Sequence, residues 1–298
     1  MSRETSEGTG KVYGLKRVCD VLQVPRSTVY ANLARQSEPV VRFALQRRGP
    51  KPKIADEQLL EAIREDLKTS PFTGEGHRKV WRRLQKRGIG GSRARVLRLM
   101  RENNLLSPHR RRQGSPNPHD GTIITERPNQ MWGTDGIRIE TAQDGWVWVF
   151  SAVDHYDACC MGIHAVKIGN RFAALEPISQ GLLSEFGSTD KSAARGLTLR
   201  MDHGTQYTAE DFLNQIRYWG IAPSFAFVAA PQTNGVAERF NRTLKEQVFH
   251  GHVYENLQTV QEAVTAFKDL YNNEWLVEKL GHQSPRQARL AYFAKEAA

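Results

Sequence analysis

The sequence has little of what a disulfide scaffold, a zinc module or a membrane protein needs. Its 298 residues include three cysteines, Cys19, Cys159 and Cys160, and no Cys-x-x-Cys pair. This is too few for a disulfide framework, and the spacing does not fit a cysteine-rich zinc site. No apolar run approaches the roughly 18 residues that a membrane-spanning helix requires, and the N-terminus has no apolar signal segment. These absences predict a cytoplasmic protein with reduced thiols and no membrane partner.

Acidic residues are scarce in the first part of the chain. Residues 1–125 hold 26 Lys and Arg against 12 Asp and Glu, whereas residues 126–298 hold 16 against 20, and the formal net charge is +10. A basic front part joined to a slightly acidic back part is typical of a polyanion-binding region attached to a different domain. A basic face that only keeps the protein soluble is the alternative.

Residues 1–48 are predicted to form a first helix-turn-helix unit. Apolar residues at helical spacing over 15–22 indicate a short helix, Pro25 ends it, and a second helix follows with Ser27 as its N-cap. The second helix of this motif enters a DNA groove. A packing unit without DNA contact is the alternative. The candidate DNA contacts are Arg26, Ser27 and Thr28.

Residues 54–106 are predicted to form a second, basic helix-turn-helix unit of three helices. From Arg78 to Arg101 there are ten basic residues and no acidic residue. Such an excess favours contact with phosphates over a merely solvated charged face. The candidate DNA contacts are Arg78, Lys79, Arg82, Arg83, Arg93 and Arg95.

A basic linker rich in proline and glycine at 107–125 marks the main predicted domain boundary. After it the periodicity changes, because three apolar runs between residues 131 and 166 predict strands, the first two joined by an Asp-Gly hairpin turn. Helices then alternate with two further strands. This order predicts an α/β core with strands of mixed direction at 126–250, followed by a helical C-terminal extension at 251–298.

Three acidic residues stand out by their surroundings. Asp135 lies within the first predicted strand, Asp202 ends a later strand, and Glu238 lies in the first turns of a helix. A carboxylate inside a strand is costly to bury unless it is paired or binds metal. If the two strands are neighbours the acids converge, and three carboxylates can hold two Mg²⁺ or Mn²⁺ ions. By spacing alone, three unconnected surface carboxylates are the alternative.

The segments around these acids resemble the DDE transposases and integrases, which have a ribonuclease-H-like core. The motifs are Trp-Gly-Thr-Asp at Asp135, Met-Asp-His-Gly-Thr-Gln-Tyr at Asp202, and Pro-Gln-Thr-Asn-Gly-Val-Ala-Glu-Arg-Phe-Asn-Arg-Thr-Leu-Lys at Glu238, with 35 residues between the last two acids. Over about residues 15–290 the chain resembles the OrfB-type catalytic subunits of the bacterial insertion-sequence family named after insertion sequence 3.

This resemblance implies a ribonuclease-H-like mixed sheet preceded by all-α helix-turn-helix modules and followed by a helical tail. It implies Mg²⁺-dependent DNA cleavage and strand transfer, with the three acids as metal ligands and Lys245 directed at DNA. Arg242 shares a helix face with Glu238 and Lys245. Asn234 is expected to cap this helix and to approach the site. The zinc ligands of retroviral integrases have no counterpart in this sequence.

The resemblance also implies partners. They are double-stranded DNA, as terminal inverted repeats and as target, further copies of the chain in a dimer or larger assembly on DNA, and an upstream reading-frame product as partner or fusion. The expected location is the bacterial cytoplasm, in association with the nucleoid.

Two other functions stay open at this point, a non-catalytic DNA-binding regulator or end-binding partner on the same scaffold and a nuclease or resolvase without joining activity. Asp154 and Asp157 are the nearest rival acid pair, with Asp154 expected beside Asp135 at the end of the second strand. His203, next to Asp202, is the histidine expected to matter most.

Overall fold

The structure, a computed structural model, describes residues 3–37, 53–107, 123–226 and 234–297. The chain divides into two compact units, Met1–Pro52 and Lys53–Ala298. Residues 108–122, most of the predicted linker, lie outside the described residues. None of the described helices is long and apolar enough to span a membrane.

The first unit contains two short helices, α1 (Gly14–Val21) and α2 (Arg26–Ser37). The prediction of Ser27 as the N-cap of α2 is wrong, because the helix begins one residue earlier. The carbonyl of Pro25 already accepts a hydrogen bond from the Thr28 amide at 3.0 Å, so Ser27 lies inside the helix. Arg26, Ser27 and Thr28 are all exposed at the start of α2.

Three helices form the helical module, residues 53–107, at the start of the second unit. They are α3 (Asp56–Thr69), α4 (His77–Lys86) and α5 (Arg93–Glu102). The side chain of Ser92 caps α5 by accepting a hydrogen bond from the Arg95 amide at 3.2 Å. Apolar positions three and four residues apart close the core between the helices, as their spacing predicted. This core consists of Leu59, Ile63, Val80, Leu84, Val96, Leu99 and Met100.

A five-stranded sheet forms the centre of the core domain, residues 123–297. Its strands are β1 (Met131–Thr141), β2 (Gly145–Asp154), β3 (Cys160–Val166), β4 (Thr198–Met201) and β5 (Ala222–Phe225). Their order is β3-β2-β1-β4-β5, with β1, β2 and β3 antiparallel and with β4 parallel to both β1 and β5. The mixed sheet that the strand order predicted is therefore confirmed, and it is the ribonuclease-H-like arrangement.

Helices cover both faces of this sheet. They are α6 (Arg171–Phe186), α7 (Thr205–Thr208), α8 (Glu210–Tyr218), α9 (Gly235–Leu244), α10 (Leu257–Glu274) and α11 (Pro285–Glu296). A π-turn at Lys245–Phe249 continues α9, and a short 3₁₀ turn at Glu278–Leu280 precedes α11. One apolar cluster packs α6 and α8 on the sheet around Trp132, and the other packs α9 and α10 around Phe240.

Candidate active site

The sheet register brings the first two predicted acids to the same place. Strand β1 pairs with β4 through Trp132 with Leu199 and Gly133 with Arg200. Continuing this parallel register by two residues sets Asp135 opposite Asp202, just beyond the end of β4. Asp135 is half-buried and Asp202 is exposed. The strand neighbourhood on which the convergence of the acids depends is present in the structure.

Helix α9 crosses the sheet beside Asp135 and is attached to it by two buried asparagines. Asn234 donates from Nδ2 to the carbonyl of Thr134 at 3.0 Å. Asn241 accepts a hydrogen bond from Ser151 Oγ at 3.0 Å and donates from Nδ2 to Asp135 Oδ2 at 2.9 Å. Because Asn234, Glu238 and Asn241 are four and three residues apart, they lie on one helix face. The two asparagines attach α9 to β1, and Glu238, which lies between them in the chain, interacts with Asp135 through charge.

Asn234 occupies the N-cap position of α9, but its side chain makes no capping hydrogen bond, which corrects the predicted role. The amide points at β1 instead, where Gly133 leaves room for it. A Cβ atom at Gly133 would lie 2.8 Å from Asn234 Oδ1 and 2.9 Å from His155 Nε2. Burial lowers the pKa of His155 to about 4, so this ring is neutral near pH 7. Close packing at this point thus depends on glycine.

The three acids interact electrostatically. Burial raises the pKa of Asp135, repulsion from Asp202 adds to the rise, and the hydrogen bonds from Asn241 and the Gly136 amide oppose it. Burial followed by repulsion from Asp135 raises the pKa of Glu238. Asp202 Oδ1 accepts a hydrogen bond from the Gly204 amide at 2.9 Å. Asp135 is thus the central member of the group, and it repels both of the others.

This donor set fits a divalent cation. Three carboxylates supply only hard oxygen ligands, and a bound cation would relieve the repulsion that raises the pKa of Asp135 and of Glu238. Within the described residues, no group of three or more His, Cys, Asp or Glu side chains is already close enough to enclose an ion.

Two basic residues of the same helix segment lie near the acids. Arg242 lowers the pKa of Glu238, and Lys245 lowers that of Asp135, through their charges. Both side chains are exposed. Both basic residues are thus within electrostatic reach of the acids.

The residues after Asp202 have packing roles. His203 makes a hydrogen bond of 2.8 Å between Nε2 and the Ala226 carbonyl, and its ring stacks on Phe225 with 5.2 Å between centroids. Tyr207 is fully buried and meets Phe212 edge-on at 5.4 Å. The contacts of these rings are structural.

The rival acid pair belongs to a separate, buried ion-pair cluster. Asp154 ends β2 opposite Trp132, three residues along the strand from Ser151, the partner of Asp135, so the expectation that it lies beside Asp135 is wrong. Arg289 of α11 reaches Asp157 Oδ2 at 2.7 Å, Asp154 Oδ2 at 3.3 Å and Glu185 Oε2 at 2.5 Å. Arg289 is a residue that the sequence did not predict, and it lies on the buried side of α11 next to Ala288.

Most of the candidate DNA contacts on the helical module make intramolecular contacts. Arg83 is paired with Asp66 and Glu75, and Arg95 with Asp56. Arg93 is exposed, and Arg82 is half-buried. The remaining two lie against the core domain, where Arg78 pairs with Glu278 and Lys79 lies over the ring of Trp275.

Comparison with known protein families agrees with this geometry. Two family models described as integrase core domain match residues 125–231 and 219–285, and a model described as HTH-like domain matches residues 54–113. The second of these ranges includes Glu238, and the first includes Asp135 and Asp202. The fold and the matched domains define the chain as a polynucleotidyl transferase with an integrase core.

Curated proteins with similar sequences are transposases of insertion elements. The chain is 27% identical over 292 residues to the transposase for insertion sequence element IS629 of Shigella sonnei, covering 95% of this chain and 93% of the relative. It is also 27% identical over 226 residues to the transposase InsD for insertion element IS2 of Escherichia coli, covering 71% and 72%. The chain is thus similar to insertion-element transposases along most of its length.

Solved structures give weaker likenesses. A simian T-cell lymphotropic virus intasome chain is 16% identical with a TM-score of 0.47, covering 75% of this chain and 74% of that chain. The catalytic core domain of BIV integrase is 20% identical with a TM-score of 0.40, covering 57% and 99%.

Proposed function

We propose that this chain binds the ends of its insertion element and catalyses Mg²⁺-dependent DNA cleavage and strand transfer through Asp135, Asp202 and Glu238. The observation that carries the proposal is the group of three interacting carboxylates, drawn from β1, from the end of β4 and from α9. This group stands within the residues that the integrase core models match. The printed names of the relatives are transposases of insertion elements.

Each acid has a distinct support. Asn241 and the Gly136 amide orient Asp135, the Gly204 amide orients Asp202, and the asparagines of α9 set the position of Glu238. Asp135, Asp202 and Glu238 would hold two Mg²⁺ or Mn²⁺ ions, which when bound would supply positive charge for an in-line phosphoryl transfer. The protein contributes positioning and charge and needs no covalent intermediate.

DNA contacts are assigned by charge and exposure. Lys245 and Arg242 are assigned contact with the DNA strand at the site, since both are exposed on the helix segment that carries Glu238. Asn234 is assigned a supporting role in this DNA contact. In the helical module Arg93 and Arg82 are the strongest candidates, with Arg78, Lys79, Arg83 and Arg95 acting mainly through their intramolecular pairs. In the first unit we assign contact to the exposed start of α2, at Arg26, Ser27 and Thr28.

The substrates and partners follow from this chemistry. Terminal inverted repeats and target DNA are the substrates, two ends must be held together, and a dimer or larger assembly on DNA is the expected form. An upstream reading-frame product is proposed as a further partner or fusion. A bacterial cytoplasmic location in contact with the nucleoid is consistent with such substrates.

The test uses purified protein, Mg²⁺ and labelled DNA that carries the element ends, with Glu238→Gln as the comparison. Metal-dependent release or joining of 3′ ends by the unmodified chain, absent in the variant, supports the proposal. End-specific binding without strand breakage in either protein, also when the upstream product is added, contradicts it and favours a non-catalytic end-binding protein.

A further inference from the structure

The helical module packs against the core domain through the turn between α3 and α4. We call residues 70–76 of this turn, Ser-Pro-Phe-Thr-Gly-Glu-Gly, the docking turn. Phe72 is 5% exposed and belongs to the apolar cluster that includes Phe240 of α9. Its ring meets that of Trp275 edge-on, with 4.9 Å between centroids. An apolar side chain of the module is therefore built into the core behind α9.

A single core side chain binds the next residue of the docking turn. The Thr73 amide donates to Gln247 Oε1 at 2.9 Å, and Gln247 Nε2 donates to the Thr73 carbonyl at 2.9 Å. The side-chain amide thus pairs with both backbone groups of one residue, as a neighbouring strand would. Bonding at both ends fixes the orientation of Gln247 as well as its position.

A charged contact flanks this pair. Lys79 Nζ lies 2.8 Å from the centroid of the Trp275 ring and 3.3 Å from Glu75 Oε1. Cation–π contacts gain strength as they lose solvent, and only 17% of the Lys79 side chain is exposed. Docking therefore involves a desolvated charge together with Phe72 and Gln247.

Gln247 lies in the π-turn that continues α9. This turn begins at Lys245, two residues before Gln247. Single π-turns within helices are rare and occur frequently at functional sites. Helix α9 is thus held at its start by Asn234, in its middle by Asn241, and beyond its end by the helical module through Gln247.

We propose that the docking turn positions the catalytic helix: by holding Gln247, the helical module fixes the π-turn that presents Lys245 to DNA, so the module contributes to strand cleavage and joining as well as to DNA binding. This inference rests on the proposed function. It makes Gln247 a positioning residue that acts through Lys245 and α9.

The test compares Gln247→Ala with the matched control Gln258→Ala, which changes an exposed glutamine of α10. At saturating DNA we expect the single-turnover cleavage rate of Gln247→Ala to fall about tenfold while its Kd for DNA stays within about twofold, since misplacement of reacting groups lowers the rate without removing binding contacts. Gln247→Glu keeps the acceptor for the Thr73 amide but loses the donor, so an intermediate rate is expected. Thermal melting verifies that each variant is folded.

Hydrogen exchange gives a readout that does not depend on activity. In Gln247→Ala, amides of residues 244–250 should exchange faster than in the unmodified chain, whereas Gln258→Ala should leave them unchanged. Unchanged exchange and an unchanged cleavage rate would overturn the inference, as would a rate that falls only in proportion to DNA affinity. If the unmodified chain never cleaves DNA, but residues 244–250 still exchange faster in Gln247→Ala than in the unmodified chain, the result would count against the proposed function alone.

Discussion

The core domain has two groups of three carboxylates, one paired with a buried cation and one without such a partner among the described residues. One consists of Asp154, Asp157 and Glu185, which surround the buried guanidinium of Arg289. The other consists of Asp135, Asp202 and Glu238, which interact through their charges. The nearby Arg242 and Lys245 are exposed, and within the described part of the chain neither makes a hydrogen bond to these acids.

The acids around Arg289 stabilise the fold through ion pairs with it. The acids of the candidate site mainly repel one another. Arg289 is 6% exposed, and all its carboxylate partners are fixed by hydrogen bonds or burial. The candidate site leaves Asp202 and Glu238 exposed, and Asp135 repels both, while Arg242 and Lys245 oppose this repulsion only through charge at longer range. Clustered carboxylates without an internal cation are unfavourable for stability, which is the physical reason for proposing a cation at this site.

Neutralising one acid of the candidate site should affect DNA cleavage far more than stability. Glu238→Gln is expected to lower the DNA cleavage rate by about 10³-fold, because one charged contributor to the reacting geometry is lost. It should leave thermal stability unchanged or slightly raised, since repulsion with Asp135 is removed. The exposed Glu262→Gln on α10 is the matched control and should retain full activity. Cleavage by Glu238→Gln at the unmodified rate would remove Glu238 from the site.

Removing Arg289, the cation of the buried cluster, should instead lower stability. Arg289→Met is expected to lower the free energy of unfolding by about 3–5 kcal/mol, because three carboxylates are left without a buried partner. The exposed Arg286→Met on the same helix should change it little. Denaturant unfolding measures both values, and equal stability of the two variants would refute the structural role of Arg289.

The loss of unfolding free energy in Arg289→Met is expected to depend on pH. Burial and the Asp154 charge raise the pKa of Asp157 to about 6, so its ionised form is disfavoured in the folded chain. Its contribution to stability is therefore full at low pH and is lost as the pH rises through that value. Without Arg289 the repulsion grows, and Arg289→Met should be more damaging at about pH 7.5 than at about pH 5.

One of these groups was expected from the sequence, and the other was not. Asp135, Asp202 and Glu238 each lie in a motif with local turn and strand signals, and the strands and helices around them follow from periodicity. The contacts of Arg289 and Gln247 join segments far apart in sequence, such as Thr73 with Gln247, 174 residues away. Periodicity indicates which face of an element is buried but not which distant residue it meets, so these two residues were missed.

A divalent cation should stabilise the chain through the candidate site and leave the Arg289 cluster unaffected. Mg²⁺ at about ten times its Kd is expected to add about 1.4 kcal/mol to the free energy of unfolding, because an ion that binds only the folded form shifts the equilibrium. Addition of EDTA should reverse the effect, and Asp135→Asn should abolish it. Equal stabilisation of the unmodified chain and Asp135→Asn would place the ion elsewhere.

Asn241 links the candidate site to the sheet. Asn241→Ala removes the donor to Asp135 and leaves buried Ser151 Oγ without its acceptor, at a cost of about 1–3 kcal/mol in unfolding free energy. Because that donor lowers the pKa of Asp135, its loss should shift the acidic limb of the cleavage–pH profile upward. Asn273→Ala, an exposed asparagine of α10, is the control. A stability loss without any shift of the profile would make Asn241 a packing residue and leave the orientation of Asp135 to the Gly136 amide alone.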